Sequence, residues 1–318
     1  MQINSPRILE APNYGLSKKL NNISHLIGNT PILSFMGKSE GIIAKLEYSN
    51  FSGSTKDRAT LSILSNAIAE NIIKEGDTII ESTSGNFGIS LAQFSLSLGL
   101  KFIPIIDPNI TEINRKVLEF LCEEIIEVTE RDITGGYLLS RLEAVENYKA
   151  THKNVFHPNQ YKNKFNWMGY KHLAKEIYDQ VDTLDYIVIA VSTGGTITGV
   201  SREIKKYFPE IKVVAVDVKG SMVFEDKPQK RKLSGLGSSR KSDFIANYGS
   251  VDEVMIFEEK DIINHCKKMA RENAIFAGAS SGATYAGAQS ILKRHNYADV
   301  KIMMICPDRG TSYVNNYL

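Results

Sequence analysis

Residues Asn50-Phe51-Ser52-Gly53-Ser54-Thr55-Lys56-Asp57-Arg58 form a stretch of mostly small and polar side chains between two contrasting apolar patterns. The run Ile42–Glu47 before it alternates like a strand, whereas apolar residues recur after it at helical spacings, namely at Leu61, Leu64, Ile68 and Ile72. Lys56 is therefore predicted at a helix N-terminus, where the helix dipole favours a neutral amine. A neutral lysine amine is a nucleophile, commonly used to form Schiff bases. Taken alone, however, the stretch favours the simpler interpretation of an exposed lysine at a helix start.

The remainder of the chain alternates between predicted strands and predicted helices. Strands are predicted at Thr78–Glu81, Lys101–Asp107, Glu124–Val128, Tyr186–Val191, Lys212–Asp217, Val254–Phe257 and Lys301–Cys306. Helices are predicted at Ile89–Leu98, Ile113–Leu121, Trp167–Val181 and Asp261–Asn273, in the segment ending at Tyr207, and after a loop at Ala277–Gly282. Alternation with short connections indicates an α/β fold built from right-handed βαβ units with parallel sheets. We predict two domains, a smaller one at 48–158 and a larger one at 12–47 plus 159–318.

Composition argues against several classes of partner. The 318 residues carry a formal charge of +2, so charge does not favour nucleic acid or a membrane surface. The three cysteines are widely spaced, which fits buried thiols in a reducing compartment better than a disulfide framework. The histidines show no ligand spacing, and no metal site is expected. Without an apolar leader or a spanning stretch in this sequence, we expect a cytoplasmic protein.

Two loops of small residues precede predicted helices and have the composition of anion sites. Ser192-Thr193-Gly194-Gly195-Thr196 offers backbone N–H groups, hydroxyls and a helix dipole to a phosphate, although each such loop alone fits a tight turn equally well. Thr83-Ser84-Gly85-Asn86 lacks an accompanying cation and suits a carboxylate. A nucleophilic lysine, a phosphate site and a carboxylate site together indicate pyridoxal 5′-phosphate acting on an amino acid.

Five stretches resemble, in order and spacing, the cysteine synthase/cystathionine β-synthase family of fold type II pyridoxal-phosphate enzymes. They are Asn50–Arg58, Thr83–Gly88, Ser192–Gly199, Gly278–Gly282 and Pro307–Gly310. The resemblance implies that Lys56 is the Schiff-base lysine and Asn86 binds the cofactor's ring hydroxyl. It further implies a substrate carboxylate site and a phosphate site, formed respectively by Thr83, Ser84, Asn86 and Gln160 and by Ser192, Thr193, Gly194, Gly195 and Thr196.

The resemblance also places Ser280 beside the pyridine nitrogen of the cofactor. A neutral hydroxyl does not protonate that nitrogen, which disfavours a long-lived carbanion. Chemistry is thereby directed towards loss of the α-proton with departure of a β-substituent, Lys56 being the general base. The product of this first half-reaction is an α-aminoacrylate, to which a second substrate adds.

Departures from the sulfide-using members point to one branch of the family. Those members usually have glycine where Ser192 stands and threonine where Phe87 stands. The stretches 135–141, 159–163, 219–221, 226–228 and 235–240 are more similar to the branch that makes N-(2-amino-2-carboxyethyl)-L-glutamate from O-phosphoserine and glutamate for siderophores such as staphyloferrin B. In that branch the residues matching Arg141, Tyr161 and Ser192 hold the phosphate leaving group, and a guanidinium fork with two hydroxyls suits a phosphate dianion. The simpler interpretations are a surface arginine on a helix and a core tyrosine.

Several alternatives stay open at this point. The nucleophile is glutamate, sulfide, homocysteine or water, and Asp226 in the long loop 219–243 is a tentative base for it. The residue set argues against a catalytically idle binding subunit, and the missing GxGxxG motif argues against a nucleotide-dependent oxidoreductase. The family resemblance also implies a homodimer that takes small amino-acid substrates.

Overall fold

The computed structural model describes residues 13–83, 85–133, 135–297 and 299–317. Its helices are α1 (Tyr14–Ser24), α2 (Lys56–Ala69), α3 (Asn86–Leu98), α4 (Glu112–Leu121), α5 (Leu138–Thr151), α6 (Lys164–Met168), α7 (Lys171–Gln180), α8 (Gly195–Tyr207), α9 (Asp243–Tyr248), α10 (Glu259–Asn273), α11 (Ala279–Arg294) and α12 (Val314–Tyr317). Its strands are β1 (Ile32–Ser34), β2 (Ile42–Leu46), β3 (Thr78–Ser82), β4 (Lys101–Ile106), β5 (Ile126–Glu127), β6 (Val155–Phe156), β7 (Tyr186–Ala190), β8 (Lys212–Val218), β9 (Glu253–Phe257) and β10 (Ile302–Cys306).

The strands form two sheets, which confirms the predicted α/β fold. A six-stranded sheet has the order β1-β2-β10-β7-β8-β9, and its neighbours are parallel except for the antiparallel edge strand β1. A four-stranded sheet has the order β5-β4-β3-β6 and is parallel throughout. All strands of the second sheet fall inside 48–158, the segment predicted as the smaller domain. The domain bounds themselves stay a prediction.

The central strands are buried on both faces, as their continuous apolar runs indicate. In β7, Ile187 and Val188 are fully inaccessible, and the neighbouring β10 is buried throughout. Helices α7, α8 and α11 contribute further buried residues to the cores on either side of this sheet. The carboxyl ends of β2, β10 and β7 consequently meet at one edge, where ligands of parallel sheets collect.

Three predicted elements differ from the structure. The helix predicted at Trp167–Val181 is divided into α6 and α7 around Gly169, where a Cβ atom would lie 2.3 Å from the carbonyl oxygen of Arg58. The loop predicted at Ala277–Gly282 already contains the first residues of α11. The strand predicted at Glu124–Val128 is reduced to β5. Helix α1 lies in a largely polar segment where no helix is predicted. Only Leu16 and Leu20 of this helix are buried, so its apolar pattern is weak.

The described ranges contain no helix both long and apolar enough to cross a membrane. Within the same ranges, no group of three or more His, Cys, Asp or Glu side chains is arranged to hold a metal ion. The three cysteines are free thiols, with Cys266 and Cys306 buried.

Candidate active site

A cleft between the two sheets collects nearly all the residues predicted to act. Its lining includes Lys56, Thr83, Asn86, Arg141, Gln160, Tyr161, Ser192, Thr193, Gly194, Gly195, Thr196 and Ser280. Phe87, which the sequence comparison singled out, lies in the same lining. Ser84, predicted for the substrate carboxylate, lies outside the described residues. Loops that are far apart in the chain therefore form one site.

Lys56 begins helix α2 and lines the cleft. The segment before it is fixed to the end of β10, since the Thr55 N–H donates to the Pro307 carbonyl at 2.8 Å. Burial lowers the pKa of the Lys56 amine, and the negative charge of Asp308 opposes that shift. A lysine with a lowered pKa has more neutral amine available near neutral pH, as a nucleophile or base requires. The interpretation of Lys56 as an exposed surface lysine is therefore wrong.

A cluster of four charged side chains holds the backbone next to Lys56. The members of this supporting cluster are Lys45, Glu47, Arg58 and Glu176. Arg58 donates to Glu47 through Nε at 2.6 Å and Nη2 at 2.8 Å, and to Glu176 through Nη1 and Nη2, both at 2.7 Å. Lys45 Nζ lies 3.2 Å from Glu176. Thr55 Oγ1 donates to Glu47 at 3.1 Å, which joins the cluster to the residue before Lys56. These paired charges fix the backbone of the segment from which Lys56 projects.

The predicted phosphate loop precedes α8 and is held by a tight backbone turn. Gly194 has φ +89°, and a Cβ atom there would lie 2.1 Å from Ser242 Oγ. That hydroxyl donates to the Thr193 carbonyl at 2.7 Å, which fixes the loop from behind. A Cβ atom at Gly195 would lie 2.2 Å from Asn166 Oδ1. Glycine is thus required at both positions for the loop to present first-turn N–H groups of a 13-residue helix to an anion.

The predicted carboxylate loop connects β3 to α3 and is braced by polar contacts. Gln160 Nε2 donates to the Ser82 carbonyl at 3.0 Å, while its own carbonyl accepts from Asn166 Nδ2 at 2.6 Å. Asn86 is the first residue of α3, and its Nδ2 donates to Asp308 Oδ2 at 2.6 Å. The buried Ser82 Oγ has no hydrogen-bond partner among the described residues. The strand end before the loop and the helix start after it are therefore fixed by hydrogen bonds, and Ser82 retains unused hydrogen-bonding capacity.

Arg141 projects into the cleft from α5 and is buried, which excludes the interpretation of a surface arginine. Its Nε lies 3.2 Å from Asp107 Oδ2, and Asp107 is itself fixed because its Oδ1 accepts from the Asn109 N–H at 2.8 Å. Burial raises the pKa of Tyr161, so this cleft-lining phenol stays a neutral donor near neutral pH. The Arg240 guanidinium lies 5.7 Å from the centroid of the Tyr161 ring.

The tentative base Asp226 is the predicted residue that the structure does not bring to the cleft. Its side chain is 90% exposed, and Oδ1 accepts from Lys241 Nζ at 2.8 Å. The cleft lining does not include it. A solvated loop carboxylate paired with a lysine is poorly placed to take a proton inside the cleft, so the geometry does not support the predicted role.

Asp308 is the residue that sequence reasoning missed. It follows β10 inside the stretch Pro307–Gly310, which contributed to the family resemblance without any assigned role for the carboxylate. Oδ2 accepts from Asn86 at 2.6 Å and from the Tyr313 hydroxyl at 2.7 Å, whereas the buried Oδ1 has no hydrogen-bond partner among the described residues. An aspartate after a proline carries no local pattern, so its importance shows only once the strands are assembled.

Comparison with known proteins agrees with this geometry. The family model described as pyridoxal-phosphate dependent enzyme matches residues 23–308. The chain belongs to this family of enzymes. Its cofactor is pyridoxal 5′-phosphate, and the site fits that group, because an amine of lowered pKa lines the same cleft as a helix N-terminus whose tight loop requires glycine.

Several solved structures are similar over nearly the whole chain. O-acetylserine dependent cystathionine β-synthase from Helicobacter pylori is 26% identical with a TM-score of 0.84, covering 92% of this chain and 96% of that one. A hydrogen sulfide-producing enzyme from Fusobacterium nucleatum is 27% identical with a TM-score of 0.84, covering 91% and 96%. O-acetylserine sulfhydrylase isoform 3 from Entamoeba histolytica is 27% identical with a TM-score of 0.81, covering 99% and 93%. This pyridoxal-phosphate enzyme is accordingly related to the cysteine synthase and cystathionine β-synthase group.

Proposed function

We propose that the enzyme is a β-replacement synthase that uses O-phospho-L-serine as donor and an amine, L-glutamate, as nucleophile. The products are N-(2-amino-2-carboxyethyl)-L-glutamate and phosphate. The observation that carries the proposal is the buried Arg141 guanidinium in the same cleft lining as Lys56. A buried cation there suits a phosphate dianion and offers little to a neutral acetyl ester.

Each part of the donor has a counterpart in the cleft. Asn86 and the Ser192–Thr196 loop hold the cofactor, and Thr83 and Gln160 hold the donor carboxylate. Ser84, which lies outside the described residues, remains in the predicted carboxylate site. The bound cofactor would supply the electron withdrawal that makes the α-proton acidic, and Ser280 is the neutral group proposed to face its pyridine nitrogen. Arg141, Tyr161 and Ser192 take the departing phosphate.

Lys56 is the group that moves the proton. As a neutral amine it removes the α-proton of the donor while the bond from the β-carbon to the phosphate oxygen breaks. In the second half-reaction the nucleophile's amino nitrogen forms a bond to the β-carbon and loses a proton. Lys56 returns a proton to the α-carbon, so the enzyme ends the cycle unchanged.

A partly exposed cation beside a residue of the cleft lining is available to an acidic second substrate. The Arg240 guanidinium lies against the Tyr161 ring and is about one third exposed, with Asp243 as its ion-pair partner at 2.9 Å. A partly solvated arginine of this kind exchanges an intramolecular carboxylate for a substrate carboxylate at modest cost. This placement supports glutamate over a neutral nucleophile.

A second candidate function is cysteine synthesis or a cystathionine β-synthase-like or hydrogen sulfide-producing activity. The specific observation in its favour is the similarity to the Helicobacter, Fusobacterium and Entamoeba proteins over at least nine tenths of the chain. These activities share the elimination half-reaction and differ in the leaving group and in the group that adds. We also propose a homodimer, as in the predicted family arrangement, which light scattering at working concentration tests.

A matrix of donors and nucleophiles distinguishes the candidates. O-phosphoserine, O-acetylserine and cysteine are each combined with glutamate, sulfide, homocysteine or no added nucleophile, and products are identified by mass spectrometry. The proposal predicts one dominant product, from O-phosphoserine and glutamate. Rapid consumption of sulfide without any glutamate adduct would instead identify a cysteine synthase. Release of hydrogen sulfide from cysteine alone would identify a lyase.

A further inference from the structure

The carboxylate of Asp308 lies where three segments of the active site meet. Its backbone pairs with Ser54, two residues before Lys56, in an isolated antiparallel bridge. Its carbonyl accepts from the Gly278 N–H at 3.0 Å, immediately before the helix that carries Ser280. Its side chain accepts from Asn86. One residue thus touches the segments of the proposed Schiff-base lysine, ring-hydroxyl ligand and pyridine-nitrogen partner.

Glycine at position 278 leaves space for this carboxylate. A Cβ atom there would lie 2.1 Å from Asp308 Oδ1 and 2.7 Å from the Tyr313 ring. On the other side, the Tyr313 hydroxyl and Asn86 Nδ2 both donate to Oδ2. The carboxylate is therefore confined to one orientation, in which Oδ1 is buried and left without a hydrogen-bond partner among the described residues.

Among the described residues, the titratable groups around Asp308 leave one ionisable partner. Burial raises the pKa of Cys266 to about 11 and that of Cys306 to about 12, and it raises the pKa of the Tyr313 and Tyr317 phenols as well. All four are neutral near neutral pH. Lys56 is the remaining group. Burial raises the pKa of Asp308 itself, against the hydrogen bonds from Tyr313 and Asn86 and the charge of Lys56, and the Asp308 charge in turn opposes the burial that lowers the pKa of Lys56.

We propose that Asp308 is a positioning residue that holds the Asn86 amide with Oδ2 and provides the counter-charge for the Lys56 nitrogen. Asn86 Nδ2 carries two hydrogens, of which Asp308 accepts one, so the other remains available to the cofactor's ring hydroxyl. The negative charge retains a proton on the nitrogen that joins Lys56 to the cofactor. This inference rests on the proposed role of Lys56.

The test is a spectroscopic pH titration of the holoenzyme without any substrate. The visible absorption of the bound cofactor reports the proton on the nitrogen bonded to Lys56. In Asp308→Asn, which keeps the size of the side chain and removes its charge, the midpoint for losing that proton should fall by about one pH unit, the lower end of what an adjacent opposite charge produces. That shift corresponds to about a tenfold change in the ratio of the two forms.

Asp57→Asn is the matched control. Asp57 is also buried and is adjacent to Lys56 in sequence, but its carboxylate is used by the Ser52 N–H and the Ser90 hydroxyl, both at 2.6 Å. The midpoint in this variant should stay within about 0.2 units of the wild type, a fifth of the shift that an adjacent charge produces.

Equal midpoints in Asp308→Asn and wild type would overturn the inference, as would an equal fall in both variants. If Asp308→Asn does not fold, Tyr313→Phe removes one donor from the same carboxylate and should shift the midpoint by a smaller amount; an unchanged midpoint would then contradict the assignment. Borohydride reduction and peptide mapping of the wild type distinguish a wrong assignment of Lys56 from a wrong role for Asp308. A label away from Lys56 refutes the proposed lysine, whereas a label on Lys56 with unmoved midpoints refutes the role of Asp308 alone.

Discussion

Two groups of buried polar residues near the Lys56 segment differ in how completely their polar atoms are hydrogen-bonded. In the supporting cluster, Arg58 forms ion pairs with both Glu47 and Glu176. Lys45 donates hydrogen bonds to the Thr30 carbonyl and to Gln180, and its Nζ lies 3.2 Å from Glu176. At the cleft, Ser82 Oγ of the lining and Asp308 Oδ1, in the residue after the lining residue Pro307, are buried without a hydrogen-bond partner among the described residues. Leaving a buried polar atom unpaired costs about 1–3 kcal/mol. The difference indicates that the cluster stabilises the fold, whereas the cleft keeps hydrogen-bonding capacity for ligands.

The largest effect should come from removing the lysine that the two groups share as a neighbour. Lys56→Ala is expected to lower kcat/KM by at least about 10³-fold, the scale of losing a positioned acid–base group. Stability should change little, because the paired charges beneath the segment remain. Steady-state kinetics and urea unfolding measure the two effects. A variant with near wild-type turnover would refute the assignment.

Glu47→Gln should instead lower the free energy of unfolding and change kcat/KM little. Removing one partner of a buried pair costs about 3–5 kcal/mol, and the lower end applies since Arg58 keeps Glu176. Urea unfolding measures the loss, and Glu127→Gln in the half-exposed pair with Arg115 serves as control, with an expected cost below about 1 kcal/mol. Equal losses in the two variants would contradict the stabilising role of the cluster.

The cleft and the supporting cluster also differ in how far the sequence predicts them. The position of Lys56, the two anion loops and the alternation of elements follow from local patterns, and the structure brings Lys56 and those parts of the loops that are described to one cleft. The charge cluster and Asp308 depend on contacts across more than 100 residues, such as Arg58 with Glu176 and Asn86 with Asp308. No periodicity or spacing encodes such pairs. Asp226 shows the reverse case: a charged residue in a long loop is a natural candidate from the sequence, and its exposure and its pairing with Lys241 give that role no geometric support.

Arg141→Ala should abolish the donor preference while sparing the fold. We expect a loss of about 2–5 kcal/mol in discrimination between O-phosphoserine and O-acetylserine, the scale for one partner of a desolvated charge pair. Phosphate and acetate release measure the two elimination rates. Arg115→Ala on α4 removes the same charge outside the cleft lining and should leave the ratio unchanged. A persistent preference for the phosphate in Arg141→Ala would remove the basis for the proposed donor.

Acid should weaken the supporting cluster. Burial opposes ionisation of Glu176, but hydrogen bonds and charge from Arg58 hold its pKa at about 2, below the ordinary value of 4.5. The unfolded chain therefore takes up this proton at higher pH than the folded protein, and stability present above pH 4.5 is lost as pH falls towards 2. Urea unfolding between pH 6 and 3 should show this slope reduced in Glu176→Gln and retained in Glu130→Gln, an exposed control. A slope that Glu176→Gln leaves intact would assign the acid sensitivity to other groups.

The smallest effect is expected outside both groups. Asp226→Asn should change neither the elimination nor the addition half-reaction by more than about twofold, because its exposed carboxylate is paired with Lys241. Stopped-flow spectra resolve the two half-reactions. A tenfold slower addition with unchanged elimination would restore the base role that the sequence predicts for this residue.

The most direct test of the central claim is the covalent identification of the cofactor-bearing lysine. The purified holoenzyme is reduced with borohydride, digested and mapped by mass spectrometry, with Lys45 as an internal reference because it is a fully buried lysine committed to the charge cluster. The account predicts a single pyridoxyl group on Lys56 and an unmodified Lys45. A pyridoxyl group on any other lysine, with Lys56 unlabelled, would contradict it.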